Sequence, residues 1–104
     1  MRNKMKIERY KVSEKEFRAQ VMELVKLFSW KYYFTWNSIR SPKGFPDLVL
    51  VKDKRLIFAE LKNQDAKLTE SQQEWIDILS KLNNVEVYVW RPDDLVEISN
   101  ILKS

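Results

Sequence analysis

The stretch GFPDLVLVKDKRLIFAELK, residues 44–62, contains two apolar runs, LVLV and LIFA, separated by four charged residues. An acid, Asp47, precedes the first run, and Glu60 and Lys62 follow the second at alternate positions. Runs that are apolar at consecutive positions are typical of central β-strands whose two faces are both covered. The stretch therefore predicts two neighbouring strands in the middle of a sheet, with three charged side chains at one end of them.

The turn between the two runs sets the register of the predicted hairpin. A two-residue turn at Asp53 and Lys54, or a four-residue turn that includes their neighbours, brings Asp47 opposite Glu60. Directly opposed residues point to the same side of a sheet, with Cβ atoms about 4.5–5.5 Å apart, and Lys62 shares that side because side chains alternate along a strand. A turn of odd length without a compensating bulge would instead place the two carboxylates on opposite faces.

Two carboxylates placed side by side among apolar neighbours need a cation between them, because they repel each other and are costly to bury unpaired. Mg²⁺ or Mn²⁺ suits a site made only of oxygen ligands and leaves positions for water and a phosphate oxygen. Lys62 is the alternative counter-charge, and it is also able to orient an attacking water. In the opposing interpretation, Asp47 caps a turn after Pro46, and Glu60 and Lys62 lie on a solvated strand edge.

The composition of the 104 residues excludes several classes of chemistry. Without cysteine or histidine, the chain can form neither disulfides nor Cys/His zinc sites, and it cannot use Ser-His-Asp or Cys-His catalysis. A net charge of +4 favours a polyanionic partner. No apolar run approaches the ~20 residues of a membrane span, and the basic residues 1–12 lead into no signal-peptide core. We expect one domain, 1–104, in the cytoplasm and without membrane contact.

The remaining pattern predicts helices that flank these strands. Ser13 and Glu16 form an S-x-x-E capping box, and the apolar positions that follow repeat with helical spacing. On this helix Glu14 lies about 40° from the centre of the apolar stripe, whereas Glu16 lies about 120° away. A T-x-x-Q box begins another helix at Thr69. The expected elements are helix 14–28, strands 31–37, 47–52 and 55–62, a helix from 69 to about 82, strand 85–90 and a short helix 94–102. This order, α-β-β-β-α-β-α, predicts an α/β fold with a mixed sheet flanked by helices.

Three motifs follow one another in the chain: Gly44-x-Pro46-Asp47, Glu60-x-Lys62, and Gln72 with Trp75. In this order they resemble the PD-(D/E)xK nuclease superfamily, specifically its VRR-NUC branch, and the resemblance runs from about residue 13 to 93. It implies a restriction-endonuclease-like core, Mg²⁺ or Mn²⁺ without a small-molecule cofactor, and hydrolysis of DNA phosphodiester bonds. Stand-alone members, many from phages, resemble Holliday-junction resolvases and can act as dimers on branched DNA. A homodimer is therefore expected, in the host cytoplasm for a phage-encoded protein.

The resemblance also implies roles for individual residues. Asp47 and Glu60 would bind the metal ion together with the carbonyl of Leu61, and Lys62 would be the catalytic lysine. Gln72 matches the family's glutamine on the following helix and would belong to the catalytic set. Its place in the T-x-x-Q box is equally explained by capping alone.

Family members also carry a glutamate on the first helix, followed three residues later by an apolar residue. Glu14 before Phe17 fits this pattern, which would make Glu14 a further metal ligand and catalytic residue. The alternative is a first-turn acid favoured by the helix dipole. The glutamine that often comes next in the family is Arg18 here, so Glu16 and Gln20 stay open as substitutes for Glu14.

Positive charge near the predicted site indicates how DNA would bind. Arg40, Lys43 and Lys67 are expected to contact backbone phosphates, and the arm 1–12 is either solvated or a further phosphate contact. With no evident base-reading element, the leading hypothesis is a metal-dependent DNA endonuclease selective for branched DNA such as Holliday junctions. One alternative is a non-catalytic nucleic-acid-binding module of the same fold. Another is an assembly subunit that dimerises through an aromatic surface near Trp30, Tyr32 and Trp36.

Overall fold

The computed structural model describes residues 12–35 and 40–104. Three α-helices, four strands and one 3₁₀ turn are present in this part of the chain. In chain order they are α1 (Glu14–Leu27), β1 (Lys31–Phe34), β2 (Leu48–Lys52), β3 (Arg55–Leu61), α2 (Glu70–Ser80), β4 (Glu86–Trp90), the 3₁₀ turn Pro92–Asp94 and α3 (Leu95–Lys103).

The described strands form one sheet in the order β1-β2-β3-β4. β1 and β2 are antiparallel, β2 and β3 form an antiparallel hairpin, and β3 and β4 are parallel because α2 carries the chain across the sheet between them. The predicted α/β class, mixed sheet and element order are confirmed. The hairpin register is confirmed as well, since Lys52 lies opposite Arg55 and Leu48 opposite Ala59. Asp53 in the turn has a positive φ of 54°.

One face of the sheet is closed by α1 and α3. Alternation puts Leu48 and Leu50 of β2 on the same side as Ile57 and Ala59 of β3, and all four are 0% exposed. They belong to a core cluster that takes Phe17, Val21 and Val25 from α1 and Ile98 and Leu102 from α3. Trp30 is buried at the junction of these layers, and its Nε1 donates to the carbonyl of Leu102 at 2.9 Å. This layer fixes α1 and α3 to the hairpin strands.

The second face carries the three charged side chains of the hairpin and is only half covered. α2 lies against β4, and the ring of Phe45 links α2 to β3, with its centroid 4.9 Å from that of Trp75 and 5.8 Å from that of Phe58. No element within residues 12–35 and 40–104 covers this face toward β1, where Tyr33 is 66% exposed and Val51 is 44% exposed. The expectation that the hairpin strands are covered on both sides is therefore wrong for the β1–β2 half.

The ends of the elements differ from the predictions by one to three residues. β1 ends at Phe34 instead of residue 37, although the N–H of Thr35 still donates to the carbonyl of Asp47 at 2.9 Å. α2 ends at Ser80 instead of near residue 82. Most of the predicted basic arm lies outside the described residues. No helix in the described part of the chain is long and apolar enough to cross a bilayer.

The predicted aromatic surface is not formed as expected. Trp30 is 4% exposed and belongs to the core, so its assignment to a surface was wrong. Tyr32 is 43% exposed, and Trp36 lies outside the described residues. An aromatic patch built from all three residues is therefore excluded by the position of Trp30.

Candidate active site

Asp47 and Glu60 meet one step beyond the last paired residues of the hairpin. The ladder ends with Leu48 opposite Ala59, so the next pair in the same register is Asp47 with Glu60. The backbone of Asp47 is held from β1 through Thr35, and its side-chain Oδ2 accepts a hydrogen bond from the N–H of Leu61 at 3.0 Å. Two strands thus fix the position of this carboxylate.

The Glu60 carboxyl group is buried and only half satisfied. Glu60 is only 3% exposed. Oε2 accepts a hydrogen bond from Nε2 of Gln72 at 3.0 Å, whereas Oε1 is buried without a hydrogen-bond partner. Buried carboxylate oxygens are normally hydrogen-bonded or bound to a cation. The Oε1 atom thus has no N–H donor, and the Glu60 carboxyl group interacts with the neighbouring carboxyl group of Asp47.

Burial perturbs the pKa of both carboxyl groups. Desolvation raises the pKa of Glu60 to about 8, and the neighbouring charge of Asp47 raises it further, against the opposing effect of Lys62. Burial also raises the pKa of Asp47, but the Leu61 N–H and the positive charge of Arg18 oppose that increase. The two carboxyl groups therefore do not both ionise readily near neutral pH, and an additional cation would favour the doubly ionised pair.

Gln72 joins the site to the first turn of α2. Its Oε1 accepts from Nζ of Lys62 at 3.0 Å and from the N–H of Thr69 at 2.9 Å, while its Nε2 donates to Glu60. The N–H of Gln72 in turn donates to Oγ1 of Thr69 at 3.2 Å, which completes the capping box. Gln72 therefore both caps α2 and contacts Glu60 and Lys62, whereas its catalytic role stays a prediction.

Gly44 explains why the loop before Asp47 has the sequence G-x-P-D. Its φ is +95°, a conformation that L side chains rarely adopt. A Cβ at this position would lie 2.6 Å from the carbonyl carbon and oxygen of Ser71. The indole Nε1 of Trp75 donates to the carbonyl of Lys43 at 3.2 Å. The loop is thus packed directly against the start of α2, which aligns Asp47 with Gln72.

The first helix contributes charges of both signs near Asp47. Glu14 is exposed and its charge raises the pKa of Asp47, yet no group of three or more His, Cys, Asp or Glu side chains forms a metal cluster among the described residues. Glu16 serves the capping box, with Oε1 accepting from the N–H of Ser13 at 2.9 Å, and no hydrogen bond joins Gln20 to Asp47 or Glu60 in the part of the chain that the structure describes. Of the candidate residues on α1, Glu14 is therefore the one whose charge affects the pKa of Asp47.

Arg18 is a neighbour of Asp47 that the sequence pattern did not indicate. Its positive charge lowers the pKa of Asp47, its guanidinium lies 5.5 Å from the ring centroid of Phe34, and its Nε is buried without a hydrogen-bond partner. The spacing from Glu14 to Arg18 is i to i+4, which places both on the same helix face. That spacing is the signal in the sequence that points to Arg18, which otherwise only stands where the family often has a glutamine.

A divalent cation fits this donor set. Asp47 and Glu60 offer carboxylate oxygens, which Mg²⁺ and Mn²⁺ prefer, and one of these oxygens is buried without a partner. In an extended strand the N–H and C=O of one residue point to the same neighbour. Because the N–H of Leu61 points to Asp47, its carbonyl is directed to that side as well and can supply a third oxygen.

The residues predicted to bind DNA lie on the surface near the site. Arg40 and Lys43 are exposed in the loop that leads to Asp47, and Lys67 is exposed between β3 and α2. Both segments adjoin residues of the site along the chain. Lys43 and Lys67 are thus solvent-exposed cations on segments that adjoin the site along the chain.

A hairpin that presents Asp47 beside Glu60-x-Lys62, flanked by a helix glutamine, defines a nuclease core of the PD-(D/E)xK class. The VRR-NUC domain model matches residues 7–93, and the chain belongs to the VRR-NUC family. A solved structure described as a VRR_NUC domain protein is similar, with a TM-score of 0.69, 22% sequence identity, and coverage of 88% of this chain and 87% of that chain. No curated protein matches the sequence. Family membership implies a nuclease-type function on DNA, and nucleases of this kind generally use divalent metal ions.

Proposed function

We propose that this protein is a metal-dependent DNA endonuclease whose active site is formed by Asp47, Glu60, Leu61, Lys62 and Gln72, with Glu14 contributing from α1. The observation that carries the proposal is the buried Glu60 carboxyl group beside Asp47, with its Oε1 unsatisfied. A chain that needed only a stable sheet would gain from an apolar residue there, because a buried carboxyl group must either stay protonated or meet the cost of burying a charge. A cation bound between the two carboxylates would compensate their charge and so remove this cost.

Asp47, Glu60 and the Leu61 carbonyl would hold the ion, and Glu14 would complete the set directly or through water. A bound Mg²⁺ or Mn²⁺ supplies Lewis-acid stabilisation of charge on a phosphoryl oxygen. The donor set is compatible with either ion, because both accept carboxylate, carbonyl and water oxygens.

Lys62 would act on the attacking water and on the charge that develops at phosphorus. An ammonium group has three N–H donors, and one of them is directed to Gln72 Oε1 at 3.0 Å. The other donors are available to orient a water molecule or to contact a phosphate oxygen in the transition state. Gln72 would hold the ammonium group in place, because it is itself fixed by Thr69 and Glu60.

DNA would bind through its phosphates. Arg40, Lys43 and Lys67 would each displace counterions, so affinity is expected to fall steeply with salt. We further propose that shape rather than base sequence selects the substrate, and that branched DNA such as a Holliday junction is preferred. A homodimer acting in the cytoplasm, that of the host for a phage-encoded protein, would place two such sites on one branched substrate.

The test is cleavage of branched, single-stranded and duplex DNA with Mg²⁺, Mn²⁺ or EDTA. Cutting should require the metal ion, and Asp47→Asn and Lys62→Ala should each abolish it while leaving the protein folded. Lys103→Ala is the matched control for Lys62→Ala, because Lys103 is an exposed lysine at the end of α3. DNA binding without cutting of any substrate would refute the nuclease and favour the binding module instead.

A further inference from the structure

The open half of the second sheet face forms a platform beside the candidate active site. We define the platform as Lys31, Tyr33, Val49 and Val51. The register pairs Lys31 with Val51 and Tyr33 with Val49, so alternation directs all four side chains to one face. Asp47 precedes Val49 by two residues, a separation of about 7 Å for an extended chain. The platform is thus continuous with the carboxylate pair.

Exposure and charge at the platform favour a nucleic-acid ligand. Tyr33 is 66% exposed and Val51 is 44% exposed, so both side chains are accessible to a ligand. Lys31 is exposed at the far end, and the platform contains no acidic residue. An accessible aromatic ring between a cation and a phosphate-cleaving site is the combination that binds single-stranded nucleic acid.

We propose that the platform binds unpaired bases of the DNA strand next to the scissile phosphate, with Tyr33 stacking on one base and Lys31 contacting a backbone phosphate. This proposal rests on the proposed nuclease function, because that function places the scissile phosphate at Asp47. Bases within a duplex are already stacked on both faces, so only a base that has left the stack can lie on Tyr33. The platform would therefore select DNA with unpaired nucleotides at a branch point over continuous duplex.

A second copy of the chain is a less suitable occupant. A stable interface uses roughly 20–30 residues on each side, whereas the platform offers four residues, one of them charged. A single strand of DNA needs only one ring and one cation at this position. The dimensions and the charge of the platform therefore favour the nucleic acid.

The experiment measures DNA binding in EDTA, where no metal-dependent cutting occurs, by fluorescence anisotropy. One probe is a continuous duplex, and the other is the same duplex with an unpaired tail that carries 2-aminopurine next to the junction. Tyr33→Ala should weaken binding to the tailed probe about 5- to 100-fold, the range expected for loss of one stacked base, and should relieve the quenching of 2-aminopurine. Binding to the continuous duplex should change by less than about twofold.

Matched variants separate stacking from folding and from simple hydrophobicity. Tyr33→Phe should keep the affinity for the tailed probe, whereas Tyr33→Leu, which keeps apolar volume but lacks the planar ring, should lose it. Tyr32→Ala is the positional control, since Tyr32 lies on the same strand and points to the opposite face. It should leave the preference for the tailed probe unchanged.

Several outcomes would overturn the proposal. Equal weakening of both probes, or full affinity in Tyr33→Leu, would exclude base stacking. Dissociation of a dimer by Tyr33→Ala, seen by sedimentation without any effect on DNA binding, would assign the platform to a second copy. A preference for the tailed probe that depends on Tyr33, in a protein that cuts no DNA with any metal, would uphold the platform and refute only the nuclease function. Metal-dependent cutting, together with DNA binding that does not depend on Tyr33, would uphold the nuclease function and refute the platform.

Discussion

Replacement of Glu60 by glutamine should stabilise the metal-free protein, and the gain should grow as the pH rises. Glu60 is 3% exposed and its pKa is raised from 4.5 to about 8, first by burial and then by Asp47. The unfolded chain ionises this residue near pH 4.5, while the folded chain keeps it protonated until about pH 8. Between these values the folded state binds more protons, so its stability falls as the pH increases.

The size of the effect follows from the same two pKa values. At ~1.4 kcal/mol for each pH unit, the interval from 4.5 to about 8 corresponds to about 5 kcal/mol as an upper limit. Side-chain movement and water entry reduce such penalties, so a difference of about 2–3 kcal/mol between pH 5 and pH 8 is the expected result. The glutamine can keep the hydrogen bond that Gln72 now donates to Oε2, which preserves the packing.

The assay is urea unfolding in EDTA at a series of pH values, comparing wild type, Glu60→Gln and the control Glu23→Gln. Glu23 is an exposed acid on α1, so its replacement should give the same pH dependence as wild type. Adding Mg²⁺ at pH 8 should stabilise wild type and leave Glu60→Gln nearly unchanged, because binding to the folded state alone adds stability. A Glu60→Gln stability difference that does not vary between pH 5 and 8 would refute the assignment of a buried, repelled carboxyl group.

The remaining predictions concern the loop, the edge of the sheet and the charges on α1. Gly44→Ala should destabilise the protein by about 2 kcal/mol or more and lower its melting temperature, because φ is +95° and the new Cβ would lie 2.6 Å from backbone atoms of α2. Burial and the hydrogen bond that its hydroxyl donates to Glu86 at 2.8 Å raise the pKa of Tyr88 to about 12. The stability of the wild type should therefore fall above pH 10, and Tyr88→Phe should remove that fall. In calorimetric titrations with Mn²⁺, Glu14→Gln should weaken binding several-fold, because it removes a negative charge near the carboxylates, and Arg18→Gln should strengthen binding, because it removes a positive one. If both variants changed the affinity in the same direction, the proposed positions of these two charges on α1 would be contradicted.

Much of the site could be predicted because local rules fix it. The even-numbered turn determines that Asp47 and Glu60 share a face, and β-strand alternation then places Lys62 beside them. The capping boxes at Ser13 and Thr69 place the starts of α1 and α2, because their side chains satisfy N–H groups that the helix cannot. These inferences need only contacts between residues close in sequence or paired in one hairpin.

The features that were missed depend on contacts between distant elements. Apolar runs on the central strands indicate burial but not which helix covers which half of a face, so the exposure of Tyr33 and Val51 could not be foreseen. Trp30 follows α1 directly and adjoins the strand that carries Tyr32, yet its indole reaches Leu102 at the other end of the chain. The link from Arg18 to Asp47 likewise depends on how α1 crosses the end of the hairpin.

Gln72 shows how folding and site formation are connected in this small chain. The side-chain oxygen that caps α2 by accepting from Thr69 is the one that accepts from Lys62, and the amide nitrogen beside it donates to Glu60. The start of α2 at Glu70 therefore also sets the positions of the Lys62 ammonium group and the Glu60 carboxyl group relative to each other. The burial of Glu60 beside Asp47 has an energetic cost, and the hydrogen bond that Gln72 donates to Oε2 reduces it only in part. The same contacts leave Oε1 of Glu60 without an N–H donor, which is the reason why we propose that a cation binds beside it.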